Sequence, residues 1–147
     1  MAGMLNRKKT VVAALLWEQG RLLICQRSLD GDFPGKWEFP GGKVEPEESP
    51  QAALRRELRE ELGITAKIGE PVWSVEHQYP GRVAVLLLFF AVVSYRGRME
   101  NRIFEQIQWV RPEQLPGYDF LEADLLLVQK LADGSIRPPL DKEDRNQ

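Results

Sequence analysis

Three glutamates, Glu57, Glu60 and Glu61, fall within five positions of one short segment whose pattern is helical. At about 100° per residue they share an arc beside the apolar stripe of that helix, which consists of Leu54, Leu58 and Leu62. Glu57 and Glu61 are a like-charge pair four residues apart, which costs roughly a few tenths of a kcal/mol. Carboxylates that converge beside a core-facing stripe favour a cation between them, and hard oxygen ligands suit Mg²⁺ or Mn²⁺.

A second interpretation of these glutamates is a charged helix surface in contact with solvent, and geometry alone leaves the two open. Arg56 lies four residues before Glu60, the less favourable order for an ion pair on a helix. Zinc is disfavoured, because the whole chain has one cysteine and one histidine.

The helix that carries the glutamates has clear start and stop signals. Ser49 can cap it, Pro50 suits its first turn, and Gly63 ends it, which predicts a helix over about residues 50–62. The preceding stretch, DGDFPGKWEFPGGKVEPEESP, is rich in glycine and proline and is predicted to be mostly loop.

The rest of the chain alternates strands with a second helix. TVVAALLWEQGRLLICQRS predicts two strands joined by a turn at residues 18–20. Further strand-like segments cover residues 66–68, 73–78, 82–95 and 106–110, and a second helix is predicted over residues 121–131. This order predicts an α/β fold with a mixed sheet packed between helices.

Length and composition restrict the classes of protein. The 147 residues suit a single domain, predicted over residues 1–134 with a polar tail at 135–147. The net charge of −2 gives no footprint for a nucleic-acid polymer, and the longest apolar run, residues 83–93, is too short for a membrane helix. Cys25 is the only cysteine and is predicted to be buried. We expect a cytoplasmic protein, a monomer or a homodimer, with no membrane partner.

Residues 42–64 resemble the signature of the Nudix hydrolases. Gly42, five residues, Glu48, seven residues and then the run from Arg56 to Ile64, RELREELGI, match every fixed position of that signature. The preceding GKWEFPGGKVE resembles the MutT-like branch. The resemblance implies an α/β/α sandwich around a mixed sheet and Mg²⁺-dependent hydrolysis, with Mn²⁺ as an alternative metal. The expected substrate is a nucleoside triphosphate, cleaved to nucleoside monophosphate and pyrophosphate in sanitation of the nucleotide pool.

The resemblance also implies a set of metal ligands. Glu57, Glu60 and Glu61 become the expected ligands, and the backbone at Gly41 can add a carbonyl. Glu105 stands near the place where relatives carry a late acidic ligand and is the candidate general base, with Glu100 as a rival.

Four further residues are expected at the substrate. Arg27, in CQRS, can grip phosphate oxygens, and Lys43 lies close to the site in sequence. Phe39 is expected to line the pocket. Asp124 stands where the MutT segment carries a residue that reads the base, so either a cytidine nucleotide (CTP or dCTP) or a guanine nucleotide such as 8-oxo-dGTP fits.

Two alternatives stay open at this stage. One is another Nudix substrate, such as ADP-ribose or a dinucleoside polyphosphate. The other is a non-catalytic Nudix module that binds a nucleotide without cutting it, although such modules usually lose the signature glutamates that this chain keeps.

Overall fold

The computed structural model describes residues 8–139. The strands are β1 (Lys8–Glu18), β2 (Arg21–Gln26), β3 (Trp37–Glu38), β4 (Gly41–Lys43), β5 (Thr65–Lys67), β6 (Pro71–His77), β7 (Ala84–Val92), β8 (Ser94–Arg96) and β9 (Gln106–Val110). The α-helices are α1 (Pro50–Leu62) and α2 (Leu125–Ala132), and 3-10 turns cover Pro112–Gly117 and Glu122–Asp124.

Strand β1 lies at the centre of the fold and is apolar on both faces. Successive side chains of a strand point to opposite faces, so an unbroken apolar run indicates cover on both sides. Val12, Ala14 and Leu16 lie in the core with the leucines of α1, whereas Ala13, Leu15 and Trp17 lie in the core with α2. The predicted sheet between helices is therefore confirmed.

The sheet is mixed because β1 and β7 run parallel, whereas the other pairings of the sheet are antiparallel. The strand order is β3-β2-β1-β7-β6, with β9 on β2 and β4 on β1. On the side away from β7, β1 pairs with β4 at Val11–Ala13 and with β2 at Trp17–Glu18. This division lets the short β4 bring the Gly41–Gly42 backbone to the middle of the fold.

Helix α1 occupies the residues that its sequence signals predict. The Ser49 hydroxyl accepts a hydrogen bond from the backbone N–H of Ala52, and Gly63 ends the helix in the left-handed conformation at φ 70°. Leu54, Leu58 and Leu62 are fully buried. Each buried leucine contributes about 1.5–3 kcal/mol through removal of apolar surface from water, so the stripe fixes the rotation of α1.

The structure corrects several predicted boundaries. The stretch before α1, predicted to be mostly loop, contains β3 and β4. These short segments become strands because they pair with β2 and β1, and their sequences have no periodic pattern that would have predicted this. The strand predicted over residues 82–95 is two strands separated at Val93: β7 joins the central sheet, and β8 pairs with β5 in a small second sheet. The helix predicted over residues 121–131 begins as a 3-10 turn, and α2 starts at Leu125.

The predicted tail is described in part. Within it, Ile136 packs on the core that includes α2, and residues 140–147 lie outside the described residues. Cys25 is buried, as predicted. Among residues 8–139, neither α-helix has the length and apolarity needed to cross a bilayer.

Candidate active site

The two glycines of β4 bring bare backbone against β1 and α1. A Cβ on Gly41 would lie 1.9 Å from the carbonyl oxygen of Val12, and one on Gly42 would lie 2.4 Å from the carboxyl carbon of Glu57. No larger residue fits either position without movement. The Glu57 carboxylate therefore rests directly on the Gly42 backbone.

Glu61 is the most buried of the three glutamates predicted to bind metal, and it lines a cavity next to the β4 glycines. One carboxylate oxygen accepts a hydrogen bond from the backbone N–H of Gly41 at 3.1 Å. Burial, followed by repulsion from Glu57 and Glu38, raises the pKa of Glu61 to about 9. Ionising such a buried carboxylate is costly unless a cation lies beside it. The carboxylate oxygens of Glu61 therefore suit the binding of a divalent metal.

Arg56 connects the helix to the loop before it. Its guanidinium donates to both carboxylate oxygens of Glu48, at 2.8 and 3.0 Å, to Glu57 at 2.9 Å and to the carbonyl of Lys43 at 3.0 Å. The hydrogen bonds from Arg56 hold the pKa of Glu48 down at about 2. This arrangement ties Glu48 to α1 and fixes Glu57 against the glycines.

The other two acidic candidates lie further out. Glu60 keeps 59% of its side chain exposed and comes within 3.4 Å of Arg56. Glu105 is exposed and does not line the cavity, and its backbone N–H donates to the carbonyl of Gln26 at 2.9 Å. Within the described part of the chain, no three acidic, histidine or cysteine side chains converge at metal-binding distance. Glu61 contacts the Gly41 N–H and Glu57 lies against Gly42, and the metal-binding roles of all these residues and of Glu60 and Glu105 stay predictions.

A cavity of about 610 Å³ extends from these glycines between the sheet, the loop after β2 and the loop before β7. This volume suits a nucleotide-sized ligand. Ionisable side chains of both signs line it, and they are Lys9, Arg27, Asp32, Glu38, Lys43, Glu61, Arg82 and Asp124. All of the residues predicted to bind substrate, Arg27, Phe39, Lys43 and Asp124, are among the lining residues.

Asp124 is only 2% exposed, and its carboxyl group makes no helix-capping hydrogen bond. Burial, reinforced by the nearby Glu38, raises the pKa of Asp124 well above its ordinary value. A carboxyl group that keeps its proton offers one donor and one acceptor toward the cavity. Asp124 thus lies where the sequence predicts a group that reads a ligand's polar edge.

Arg27 is held by protein groups as well as facing the cavity. It donates to Glu38 at 3.0 Å and to the carbonyl of Asp32 at 2.8 Å. Burial raises the pKa of Glu38, and the neighbouring Arg27 opposes that rise. Arg27 therefore balances the charge of the buried Glu38. Its predicted binding to phosphate depends on the N–H groups that these two contacts do not use.

Two loops meet beside the cavity through aromatic and charged contacts. The rings of Phe33 and Tyr79 lie 4.6 Å apart between centroids, and Arg82 lies 4.9 Å from the Phe33 centroid. Arg82 also pairs with Asp32 at 3.3 Å. The hydroxyl of Tyr79 accepts the backbone N–H of Ala123, which ties the turn that carries Asp124 to the loop before β7.

Sequence reasoning missed Lys9, Asp32, Glu38 and Arg82 at this cavity. Glu38 lies in the quoted stretch GKWEFPGG but in a segment predicted to be loop. Its strand position next to Trp37, with alternate side chains pointing inward, is the signal that could have identified it. Asp32 and Arg82 are separated by 50 positions in the chain, and no sequence pattern links them.

Comparison with known proteins agrees with this geometry. The NUDIX domain model matches residues 6–130. The chain is 41% identical to CTP pyrophosphohydrolase of Escherichia coli strain K12 over 119 residues, which cover 81% of this chain and 87% of that protein. It is 39% identical to nucleoside triphosphatase NudI of Klebsiella pneumoniae strain 342, over 77% of this chain and 89% of that one. The solution structure of the E. coli ORF135 protein superposes with a TM-score of 0.78 at 38% identity, covering 92% of this chain and 96% of that one.

Proposed function

We propose that this chain, which belongs to the NUDIX domain family, hydrolyses a nucleoside triphosphate to the nucleoside monophosphate and pyrophosphate with Mg²⁺. The pyrophosphohydrolase class follows from the family, from a relative named CTP pyrophosphohydrolase and from one named nucleoside triphosphatase. The observation that carries the finer proposal is that Glu61 and the two β4 glycines line the nucleotide-sized cavity, with Glu57 packed directly against Gly42.

The residues that would hold the metal are Glu57, Glu60, Glu61 and the Gly41 backbone, with Glu105 as a further ligand. The raised pKa of Glu61 supports this assignment, because a divalent cation offsets the cost of an ionised buried carboxylate. A bound Mg²⁺ or Mn²⁺ would neutralise phosphate charge and make a water molecule a better nucleophile.

The protein's own residues hold that arrangement in place. Arg56 locks Glu57 against Gly42 and ties α1 to the carbonyl of Lys43. The N–H of Gly41 holds Glu61. Glu105 is the proposed general base, and the hydrogen bond from its backbone N–H to the carbonyl of Gln26 fixes its loop beside β2.

Asp124 supports recognition of a base edge with one donor and one acceptor. With its proton retained, its O–H can donate to N3 of cytosine while its carbonyl oxygen accepts from the N4 amino group. We therefore place CTP or dCTP first, in line with the relative named CTP pyrophosphohydrolase. A guanine edge, as in 8-oxo-dGTP, presents a donor and an acceptor side by side as well and is the second candidate.

The test is pyrophosphate release from a panel of normal, oxidised and methylated nucleoside triphosphates with Mg²⁺. We expect Glu57→Gln and Glu61→Gln to lower kcat by about 100-fold or more while folding normally. Glu70→Gln, an exposed glutamate outside the cavity, is the matched control and should keep wild-type turnover.

Asp124→Asn tests the base assignment separately. Asparagine keeps one acceptor and replaces the O–H by two N–H donors, so the ranking of bases should change more than kcat on the best substrate. Full activity of the Glu57 and Glu61 variants would refute the catalytic assignment. An equal loss on every base would remove Asp124 from recognition.

A further inference from the structure

Lys9 lies at the cavity, but it has no role in the proposed metal site or in the proposed recognition of the base. It lies near the start of β1, its side chain is exposed, and it lines the cavity. Its neighbour Lys8 points to the opposite face and pairs there with Glu76 of β6. Two adjacent lysines thus have different surroundings, and only Lys9 faces the cavity.

A second lysine converges on the same point. Strand β4 pairs antiparallel with β1, with Lys43 opposite Val11, so Lys9 is the next residue on the cavity side of β1. The two side chains come close enough that Lys43, after burial, contributes to lowering the pKa of Lys9, and Arg82 adds to this effect. Among the ion pairs formed by residues 8–139, neither Lys9 nor Lys43 has a carboxylate partner within 4 Å.

Two ammonium groups held side by side without an acid repel each other unless an anion lies between them. The Asp32 carboxylate acts on Lys9, but it opposes the lowering of the Lys9 pKa only as the smallest of the contributions. Asp32 is itself paired with Arg82. The geometry therefore leaves room for an external anion at the exposed end of the cavity.

The position of the lysine pair specifies which part of a nucleotide it meets. Under the proposed function, Asp124 binds the base at the fully buried end of the cavity. The metal-binding glutamates lie next to the phosphate bond that is cut. The exposed Lys9 and Lys43 then face the part of the phosphate chain furthest from the base. We propose that Lys9, together with Lys43, binds the terminal phosphates that leave as pyrophosphate, and that Lys9 sets the preference for nucleoside triphosphates over diphosphates.

This inference rests on the proposed function for the direction of the nucleotide, so its test has one arm that needs no hydrolysis. Tripolyphosphate is titrated into the protein by calorimetry in the presence of Mg²⁺. We expect Lys9→Met to weaken binding about tenfold, the size of one charge-assisted hydrogen bond, and Lys8→Met to bind as the wild type does. Circular dichroism confirms that both variants are folded.

The kinetic arm compares a nucleoside triphosphate with the diphosphate of the same base. Lys9→Met should lower kcat/KM for the triphosphate about tenfold and change that for the diphosphate by less than about twofold. Tripolyphosphate that fails to bind the wild type, or binds Lys9→Met equally well, would overturn the inference. So would an equal loss for both nucleotides. A wild type that cleaves no triphosphate but loses tripolyphosphate affinity on Lys9→Met would instead overturn the proposed function and leave the phosphate site standing.

Discussion

Glu61→Gln should change how the stability of the metal-free protein depends on pH. The pKa of Glu61 is raised from its ordinary value of 4.5 to about 9, first by burial and then by Glu57 and Glu38. Between these values the native protein keeps a proton that the unfolded chain has lost. Stability from this group is therefore fully present below pH 4.5 and falls as pH rises toward 9, by up to about 1.4 kcal/mol per pH unit.

The whole interval corresponds to an upper limit of about 6 kcal/mol. Glu57 and Glu38 also have raised pKa values, and their titration overlaps that of Glu61, so part of the effect is shared. We expect Glu61 itself to account for about 2 kcal/mol of the stability lost between about pH 6 and about pH 8. Glutamine has nearly the shape of the protonated acid and cannot ionise, so the variant should lack this part of the slope.

Urea denaturation in the presence of EDTA measures the effect at several pH values. The wild type should lose about 2 kcal/mol more than Glu61→Gln between about pH 6 and about pH 8. Glu70→Gln is the matched control, because Glu70 is exposed and lies outside the cavity; it should keep the wild-type slope. Equal slopes for the wild type and Glu61→Gln would refute the claim that burial holds the proton on Glu61.

The remaining predictions concern the support around Glu57. Gly41→Ala should lower the free energy of unfolding, measured by urea denaturation, by about 3 kcal/mol. The reason is that the added Cβ would lie 1.9 Å from the carbonyl oxygen of Val12. Gly42→Ala should cost less stability and instead lower kcat for pyrophosphate release, because its Cβ meets a side-chain group, the Glu57 carboxyl, at 2.4 Å and would displace it. Arg56→Lys should lower the melting temperature in a thermal scan, because an ammonium cannot form the two-point contact with Glu48. A melting temperature equal to that of the wild type would contradict this role of Arg56.

Helix α1 was predictable because its signals are local. The Ser49 cap, Pro50 and Gly63 lie within the segment itself, and the four-residue repeat of leucines fixes which face is buried. The same helix geometry places Glu57 and Glu61 on the side toward β4. The sequence could therefore indicate a cation site, although it could not tell how deeply each carboxylate is buried.

The other parts of the site depend on contacts between distant segments. Glu38 becomes a buried acid only because β3 pairs with β2 and brings Arg27 to it. The raised pKa of Asp124 depends on burial together with the proximity of Glu38. The exposed position of Glu105 depends on how the loop after β8 meets Gln26. None of these contacts has a periodic pattern in the sequence, so residue types alone could not predict them.

The distribution of charge along the cavity decides how a nucleotide can enter it. At the buried end, burial raises the pKa of Asp124 and of Glu38, and Glu38 is also paired with Arg27, whereas the exposed end holds Lys9, Lys43 and Arg82. A phosphate placed at the buried end would face groups that cannot ionise beside it without repulsion, which is about 4 kcal/mol for two unit charges 4 Å apart at an effective dielectric constant of about 20. The reversed orientation would also remove the anion from the lysine pair. Both effects favour the base at the buried end, and this orientation brings the phosphate chain past Glu57 and Glu61, where cleavage is proposed to occur.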